Sequence, residues 1–292
     1  MEIINRRKRM MSAARKLRRE ENQTIGFVPT MGALHEGHLS LIHEARAMCD
    51  VVVVSVFVNP AQFGPAEDFN SYPRDLTRDA ALLAEYNVDY VFAPTVEEIY
   101  PPDFSTYVTV EGLSNKLEGA ARPEHFRGVT TVVAILLNVI KPDFAFLGQK
   151  DAQQAILIKR MVRDLSFSAE IVVVPIVREE SGLAMSSRNT YLSDEQRKAA
   201  AVLHRALTKA REAFEAGEHS GARLIEIVRQ TIEKEPLARI DYISVNDAES
   251  LAKLDKIEDR PALVSLAAFI GNTRLIDNLV LGKTKKQDAA TA

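Results

Sequence analysis

Nearly continuous runs of Val, Ile and Phe alternate with helical patterns through the first half of this chain. The predicted strands are Thr24–Val28, Val51–Val58, Val88–Ala93, Asp143–Leu147 and Ala169–Val174. The predicted helices between them are Leu39–Met48, Leu76–Tyr86, Val129–Ile140 and Ala152–Leu165. Strands that are apolar along their whole length are typical of a parallel sheet covered on both faces. The sequence therefore predicts a doubly wound α/β fold.

A smaller α+β domain is predicted beyond about Val177, where the pattern changes. Helical patterns there cover Asp194–Glu218 and Gly221–Glu233. Strand-like runs follow at Ile240–Val245, Leu263–Ala268 and Leu275–Leu281. We therefore predict domains at 1–176 and 177–282, with a hinge near 175–180. The polar last ten residues, 283–292, are expected to be disordered.

Composition limits the classes of protein to which the chain can belong. Its 292 residues suffice for one large and one smaller domain, and its net charge of −3 gives no overall attraction to nucleic acid or membranes. No apolar run approaches the roughly 20 residues of a transmembrane helix, and no signal peptide is expected. The single cysteine, Cys49, fits a reducing compartment, so we expect a cytoplasmic protein.

A basic segment near the N-terminus admits two interpretations. It holds eight Lys and Arg residues between Arg6 and Arg19, while Met10, Ala14 and Leu17 fall at helical spacing. The pattern favours an amphipathic helix with a solvated cationic face. A contact with nucleic acid is the alternative, but no second basic patch or interleaved aromatic residue supports it.

Four polar segments each follow a predicted strand. They are PTMGALHEGH at 29–38, NPAQFG at 59–64, GQKD at 148–151 and MSSRN at 185–189. Ligands of doubly wound sheets bind beyond the carboxyl ends of the strands. We therefore expect the four segments to line one crevice.

The two histidines of the first segment, His35 and His38, admit three interpretations. As metal ligands they would need a third ligand, which is not evident nearby. They could also be an N-cap and a core histidine of the following helix. The interpretation that we favour is that both donate hydrogen bonds to phosphate oxygens at a helix N-terminus. Gly32 would then allow close backbone approach, and Gly37 would let the chain turn into a helix beginning near His38.

The other segments supply cations, hydroxyls and amides. Lys150 and Asp151 could form a surface ion pair, but a Lys after a strand suits a phosphate clamp better. Ser186, Ser187 and Arg188 suit the same task, with an ordinary capped turn as the alternative. The amides of two glutamines after strands favour recognition of hydroxyl and carboxylate groups; they are Gln62 and Gln154.

With these motifs, the chain resembles the pantothenate synthetase (pantoate–β-alanine ligase) family of the HIGH-motif nucleotidyltransferase superfamily. The resemblance runs from about residue 24 to 189, on PTMGALHEGH, VFVNPAQFG, YPRD, RPEHFRGV, GQKDAQQ and REESGLAMSSRN. It implies that a Rossmann-like domain binds nucleotide and pantoate, with a smaller lid domain. It also implies a two-step reaction, in which pantoate and ATP give pantoyl adenylate, which β-alanine converts to pantothenate and AMP.

The resemblance also implies roles for individual residues. His38 would donate a proton or stabilise phosphate, and the other catalytic groups along the triphosphate would be His35, Lys150, Ser186, Ser187 and Arg188. The remaining residues around ATP would be Pro29, Thr30, Met31, Gly37, Gly148, Gln149, Asp151, Val177 and Met185. Gln62 and Gln154 would hold pantoate, and Asn59 would support that pocket.

Mg²⁺ and a homodimer are further expectations from the resemblance. The family associates Mg²⁺ with an acidic pair after YPR; Asp79 fits one position, but Arg78 occupies the other. Phosphates and water would then carry most of the metal coordination.

Two functional alternatives remain at this point: another adenylate-forming or nucleotidylyl transferase, and a nucleotide-binding regulator or RNA-binding protein using the 6–19 helix.

Overall fold

The computed structural model describes residues 1–65 and 67–282, so the expected disorder of 283–292 lies outside the described residues. The chain divides into two compact units, Met1–Pro175 and Ile176–Ala292. The predicted boundary, after residue 176, lies one residue from this division. That the second unit acts as a lid stays a prediction.

A parallel sheet of six strands forms the centre of the first unit within the described residues. In chain order the strands are β1 (Glu2–Ile4), β2 (Ile25–Thr30), β3 (Val51–Val56), β4 (Tyr90–Phe92), β5 (Phe144–Gly148) and β6 (Glu170–Val174). Their order across the sheet is β1-β4-β3-β2-β5-β6. Successive strands move outward from β2 in one direction and then from β5 in the other, so the order reverses between β2 and β5. The predicted doubly wound α/β fold is confirmed.

Seven helices accompany the sheet in the described part of this unit. They are α1 (Arg7–Arg19), α2 (Glu36–Met48), α3 (Leu76–Glu85), α4 (Val96–Ile99), α5 (Glu118–Ala121), α6 (His125–Ile140) and α7 (Ala152–Asp164). The buried residues of α1 are Met10, Ala14 and Leu17, the apolar stripe seen in the sequence. Among helices of the described residues, none is long and apolar enough to cross a membrane.

The central strands β2 and β3 are buried on both faces of the sheet, which explains why they are apolar along nearly their whole length. Val28, Val52 and Val54 pack in one cluster with residues of α2 and α3, such as Ile42 and Leu83. The alternate residues, including Phe27 and Val53, are also fully buried. The register pairs Ile25 with Val51 and continues to Thr30 and Val56, so β2 and β3 end side by side.

The second unit contains three helices and an antiparallel sheet in its described residues. These are α8 (Asp194–Ala200), α9 (Val202–Glu215), α10 (Gly221–Ile232), β7 (Ala238–Asp247), β8 (Ala262–Ile270) and β9 (Thr273–Leu281). The three strands are ordered β7-β8-β9. An apolar cluster joins α9 and α10 to this sheet through residues such as Leu203, Leu224 and Val264.

Several predicted elements have different bounds in the structure. The helical pattern over 194–218 forms two helices in the structure, α8 and α9, on either side of Ala201. Strand β1 has no counterpart among the predictions; it pairs as an edge strand with β4. Helix α2 begins at Glu36, so Gly37 lies inside its first turn and is not the turning point before it.

Candidate active site

Both histidines lie at the N-terminus of α2, His35 at the end of the segment that follows β2 and His38 in the first turn of the helix. His35 is the N-cap, and its Nδ1 accepts a hydrogen bond from Gly37 N at 3.1 Å. His38 Nδ1 accepts from His35 N at 3.4 Å, and the two ring centroids are 4.1 Å apart. Because each Nδ1 is an acceptor, the proton of each neutral ring lies on Nε2. The capping and phosphate-binding interpretations are therefore compatible, since they use different nitrogens.

Both imidazoles are neutral near pH 7. Burial, together with the positive charge of Lys150, lowers the pKa of His35 from 6.5 to about 4. Burial and the neighbouring His35 lower the pKa of His38 from 6.5 to about 3. The pair therefore offers two Nε2–H donors and no positive charge.

The end of β5 brings a cation to the same histidines. Lys150 and Asp151 lie in a short 3₁₀ turn, Gln149–Asp151, directly after Gly148. Lys150 Nζ lies 3.5 Å from Asp151 Oδ1, and both charges affect the pKa of each histidine. Since β2 and β5 are adjacent strands, the histidines and Lys150 meet where the strand order reverses.

A buried amide network follows β3. Asn59 is 1% exposed, and its Nδ2 donates to Gln62 Oε1 at 3.1 Å and to Gly128 O at 3.1 Å. Its Oδ1 accepts from Tyr100 Oη at 2.8 Å. Gln62 Oε1 is thereby occupied, so Gln62 presents its Nε2 as a donor. That Nε2 contacts Met31 Sδ at 2.9 Å, which joins the segment after β3 to the segment after β2.

The start of α6 fixes the backbone of the 59–64 segment. His125 Nδ1 donates to Gln62 O at 2.7 Å, and burial lowers the pKa of His125 to about 4. Arg122 contacts the same carbonyl at 3.5 Å and forms an ion pair with Glu67. Gly128 packs so closely that a Cβ there would lie 2.1 Å from Ala61 O. These contacts fix the backbone from which the Gln62 side chain extends.

The two glutamines at the start of α7 have different surroundings. Gln153 is buried, donates to Leu113 O and Lys116 O, and accepts from Glu118 N. Gln154 is half-buried. Gln153 therefore fixes the 113–118 segment, and Gln154 is the glutamine of this pair that retains access to a ligand.

The Asp79 carboxylate holds the backbone ahead of α2. It is 1% exposed, and it accepts hydrogen bonds from Ala33 N at 2.9 Å and Leu34 N at 3.0 Å. Thr30 supports the same turn, because its Oγ1 accepts from Gly32 N and donates to Ser55 O. Within residues 1–65 and 67–282, no three His, Cys, Asp or Glu side chains are grouped to hold a metal ion.

The MSSRN segment belongs to the second unit. Ser186 caps the 3₁₀ turn Ser187–Tyr191, and its Oγ accepts from Arg188 N at 3.3 Å. Asn189 donates to Glu179 Oε1, which also pairs with Arg197. Val177 O accepts from Met185 N at 2.9 Å, so these two residues are adjacent. Their expected contact with the nucleotide stays a prediction.

Comparison with known proteins identifies the family. Residues 2–280 match the family described as pantoate-beta-alanine ligase. This chain belongs to the pantoate-beta-alanine ligase family. The resemblance inferred from the motifs is thereby confirmed.

Relatives of the pantoate-beta-alanine ligase family match over nearly the whole chain. A pantothenate synthetase of Pelotomaculum thermopropionicum is 57% identical over 265 residues, covering 91% of this chain and 94% of the relative. The crystal structure of pantothenate synthetase from Thermus thermophilus matches with a TM-score of 0.89 and 47% identity, covering 96% and 99% of the two chains. A Francisella tularensis pantoate-beta-alanine ligase complexed with β,γ-ATP and β-alanine matches with a TM-score of 0.79 and 37% identity, covering 96% and 97%.

Several residues of this ligase-family site were not assigned roles by the sequence. Tyr100, Arg122, His125 and Gly128 support the Asn59–Gln62 segment from other elements. The RPEHFRGV motif contains three of them, so its presence was a usable signal. Its position, however, is far from the 59–64 segment in sequence, and only the fold reveals the contact.

Proposed function

We propose that this chain catalyses the ATP-dependent condensation of pantoate with β-alanine to give pantothenate, AMP and pyrophosphate. In the first step, a pantoate carboxylate oxygen attacks the α-phosphorus of ATP, and pyrophosphate leaves. In the second step, the β-alanine amine attacks the acyl carbon of pantoyl adenylate, and AMP leaves. Membership of the family supports this reaction.

One structural observation carries the proposal most directly. Two neutral Nε2–H donors and the Lys150 ammonium meet beyond β2 and β5, and the Gln62 amide lies beyond the adjacent β3. A carboxylate that approaches a triphosphate meets like-charge repulsion, and further negative charge develops on the phosphate oxygens. Donors and a cation that are already oriented reduce that cost without moving during the reaction.

The first step uses these groups in distinct roles. His35 and His38 donate from Nε2 to phosphate oxygens, while their Nδ1 atoms stay bonded to the start of α2. Lys150 supplies the positive charge that the neutral imidazoles lack. We assign to Ser186, Ser187 and Arg188 further contacts with the triphosphate, on the strength of their motif. The other motif residues, from Pro29 to Met31 and from Gly148 to Asp151, line the nucleotide.

Pantoate is held by amides rather than by cations. Gln62 directs Nε2 toward its ligand because Asn59 occupies Oε1. Gln154 provides a second amide from the first turn of α7. Neutral donors bind the carboxylate while leaving it nucleophilic, because an ion pair would withdraw more of its charge.

A magnesium site built from protein carboxylates does not fit the described residues. Mg²⁺ takes oxygen ligands in octahedral geometry, and in nucleotide sites one or two protein carboxylates join water and phosphate oxygens. The Asp79 oxygens accept backbone N–H groups, and Arg78 stands beside them with a cation. If Mg²⁺ accompanies ATP, phosphate and water oxygens are its ligands.

The chain is also proposed to act as a cytoplasmic homodimer, with residues 177–282 serving as a lid. The family resemblance supports the dimer and the lid, and the single cysteine of the chain supports the location. Light scattering coupled to gel filtration measures the oligomeric state, and a mass of one chain at micromolar concentration would refute the dimer.

ATP–pyrophosphate exchange tests the reaction itself. Pantoate with ATP and Mg²⁺ should drive exchange without β-alanine, and the complete reaction should produce AMP. A panel of other carboxylic acids is the control, and preference for another acid would indicate a different adenylate-forming enzyme. ADP as product would indicate an acyl phosphate, and absence of exchange with pantoate alone would refute the two-step reaction.

A further inference from the structure

We infer that Asp79 is a positioning residue that orients His35 and His38 by fixing the turn before α2, and that it is not a magnesium ligand. This inference deepens the proposed function and rests on it for the role of the histidines. The hydrogen bonds on which it depends are independent of that function.

The turn before α2 has a backbone that requires support. Gly32 and Ala33 follow each other with φ values of +81° and +51°. Two consecutive left-handed residues are uncommon, and for alanine this conformation is strained. Such a conformation persists only when surrounding contacts determine it.

Asp79 provides that support from the first turn of α3. Its two oxygens accept separately from the consecutive amides of Ala33 and Leu34, at 2.9 and 3.0 Å. Successive amides in such a turn form a concave site for an anion. The protein fills this site with its own buried carboxylate.

Gly32 and Arg78 complete the arrangement. A Cβ at Gly32 would lie 2.8 Å from Asp79 Oδ2, so the carboxylate lies directly against this turn. Arg78 Nη2 contacts Leu34 O at 3.4 Å, so adjacent residues of α3 reach both the amide and the carbonyl of Leu34. Its guanidinium also lies 3.9 Å from Asp79 Oδ1, where a cation disfavours a bound Mg²⁺.

The turn controls the histidines because it leads directly into them. Leu34 is 1% exposed in the core, and the next residue, His35, caps α2. If Ala33 relaxed to a negative φ, His35 would shift, and the hydrogen bond from His35 N to His38 Nδ1 would be lost. Both Nε2–H donors would then lose their fixed direction.

The test compares Asp79→Asn with wild type. Asparagine keeps one acceptor but directs an NH₂ group at the second amide, so one of the two bonds cannot form. We expect turnover in ATP–pyrophosphate exchange to fall about 10²-fold, as for a displacement of catalytic groups by about an ångström. The Mg²⁺ concentration for half-maximal exchange should remain unchanged, and excess Mg²⁺ should not restore turnover.

Two measurements do not depend on activity. Hydrogen exchange should show faster exchange at Ala33 and Leu34 in Asp79→Asn, and ¹⁵N spectra of the imidazoles should show that the Nε2–H tautomer of His38 is no longer uniform. Asp75→Ala is the matched control, because Asp75 caps α3 through Arg78 N and does not contact the turn. It should lower the thermal midpoint and leave the turn amides and the tautomer unchanged.

The results separate this inference from the proposed function. Recovery of Asp79→Asn by excess Mg²⁺, or unchanged protection of Ala33 and Leu34, would overturn the positioning role. If wild type failed to exchange pyrophosphate with pantoate, the proposed reaction would be wrong, while the amide and tautomer measurements would still decide the role of Asp79.

Discussion

The contact between Gly128 and the 59–64 segment gives a prediction whose size follows from the structure. In Gly128→Ala, the new Cβ would lie 2.1 Å from Ala61 O, 2.4 Å from Ala61 C and 2.7 Å from Gln62 N. Ordinary contacts of a Cβ begin at 3.4 Å, and the atoms that it meets are all backbone. The segment must therefore retreat from α6 by about an ångström, since no flexible side chain can yield instead.

The expected loss is specific to pantoate. A displacement of that size moves the Gln62 amide and stretches the bonds from Asn59 Nδ2 and His125 Nδ1. We expect kcat/KM for pantoate to fall roughly 10²-fold, and the free energy of unfolding to fall by about 1–3 kcal/mol. ATP binding should change little, because its proposed ligands follow β2 and β5 or lie in the second unit, and none of them is in the 59–64 segment.

Steady-state AMP formation measures kcat/KM for pantoate, and calorimetric titration measures the binding of ATP. Gly64→Ala is the matched control in the same segment, because its Cβ would meet Glu67 Oε1 at an ordinary 3.6 Å. A folded Gly128→Ala protein with normal pantoate kinetics would refute the reasoning. Equal losses in both variants would also refute it, since the effect would then not come from the close contact.

Three further predictions concern other parts of the site. Lys150→Ala should lower the rate of adenylation about 10²–10³-fold, and it should slow the reaction of supplied pantoyl adenylate with β-alanine much less. Single-turnover assays measure both steps, and equal losses in the two would contradict the phosphate role of Lys150. Tyr100→Phe removes the 2.8 Å hydrogen bond to Asn59, so it should raise the KM for pantoate by about 2–10-fold and leave the affinity for ATP unchanged. Saturation kinetics measure both, and an unchanged KM would show that Tyr100 does not position Gln62 through Asn59. Burial lowers the pKa of His125 to about 4 in the folded chain. Between that value and pH 6.5, the unfolded chain binds a proton at this residue that the folded chain does not. The free energy of unfolding should therefore fall by about 1.4 kcal/mol for each pH unit by which the pH decreases in this range. Urea titrations should give a shallower pH dependence for His125→Gln, and identical slopes would show that His125 is not buried neutral.

The sequence determined the class of fold and several residues of the site. Apolar runs such as Val51–Val58 identify strands buried on both faces, because a covered parallel sheet removes the side chains of both faces from water. The rule that ligands bind beyond the carboxyl ends of such strands then selected His35, His38, Lys150 and Gln62. These inferences use local patterns, so they need no coordinates.

Helix ends and isolated short elements were less predictable. Helix α2 begins earlier than its apolar pattern because the His35 side chain, rather than a run of apolar residues, defines the first turn. Strand β1 has only three residues, and its pairing with β4 across some ninety positions is a tertiary event. Hydrophobic periodicity alone therefore locates neither the start of α2 nor strand β1.

Only the tertiary structure decided what each polar side chain does. The family resemblance suggested Asp79 as a metal ligand, but burial against the turn at Ala33 and Leu34 gives its oxygens two amide partners. Which nitrogen of each histidine carries the proton, and which atom of the Gln62 side-chain amide can act as a donor, likewise depend on which neighbour bonds to the other polar atom. Hydrogen bonds have direction and join residues distant in the chain, whereas hydrophobic periodicity reports only how each residue relates to its neighbours in sequence.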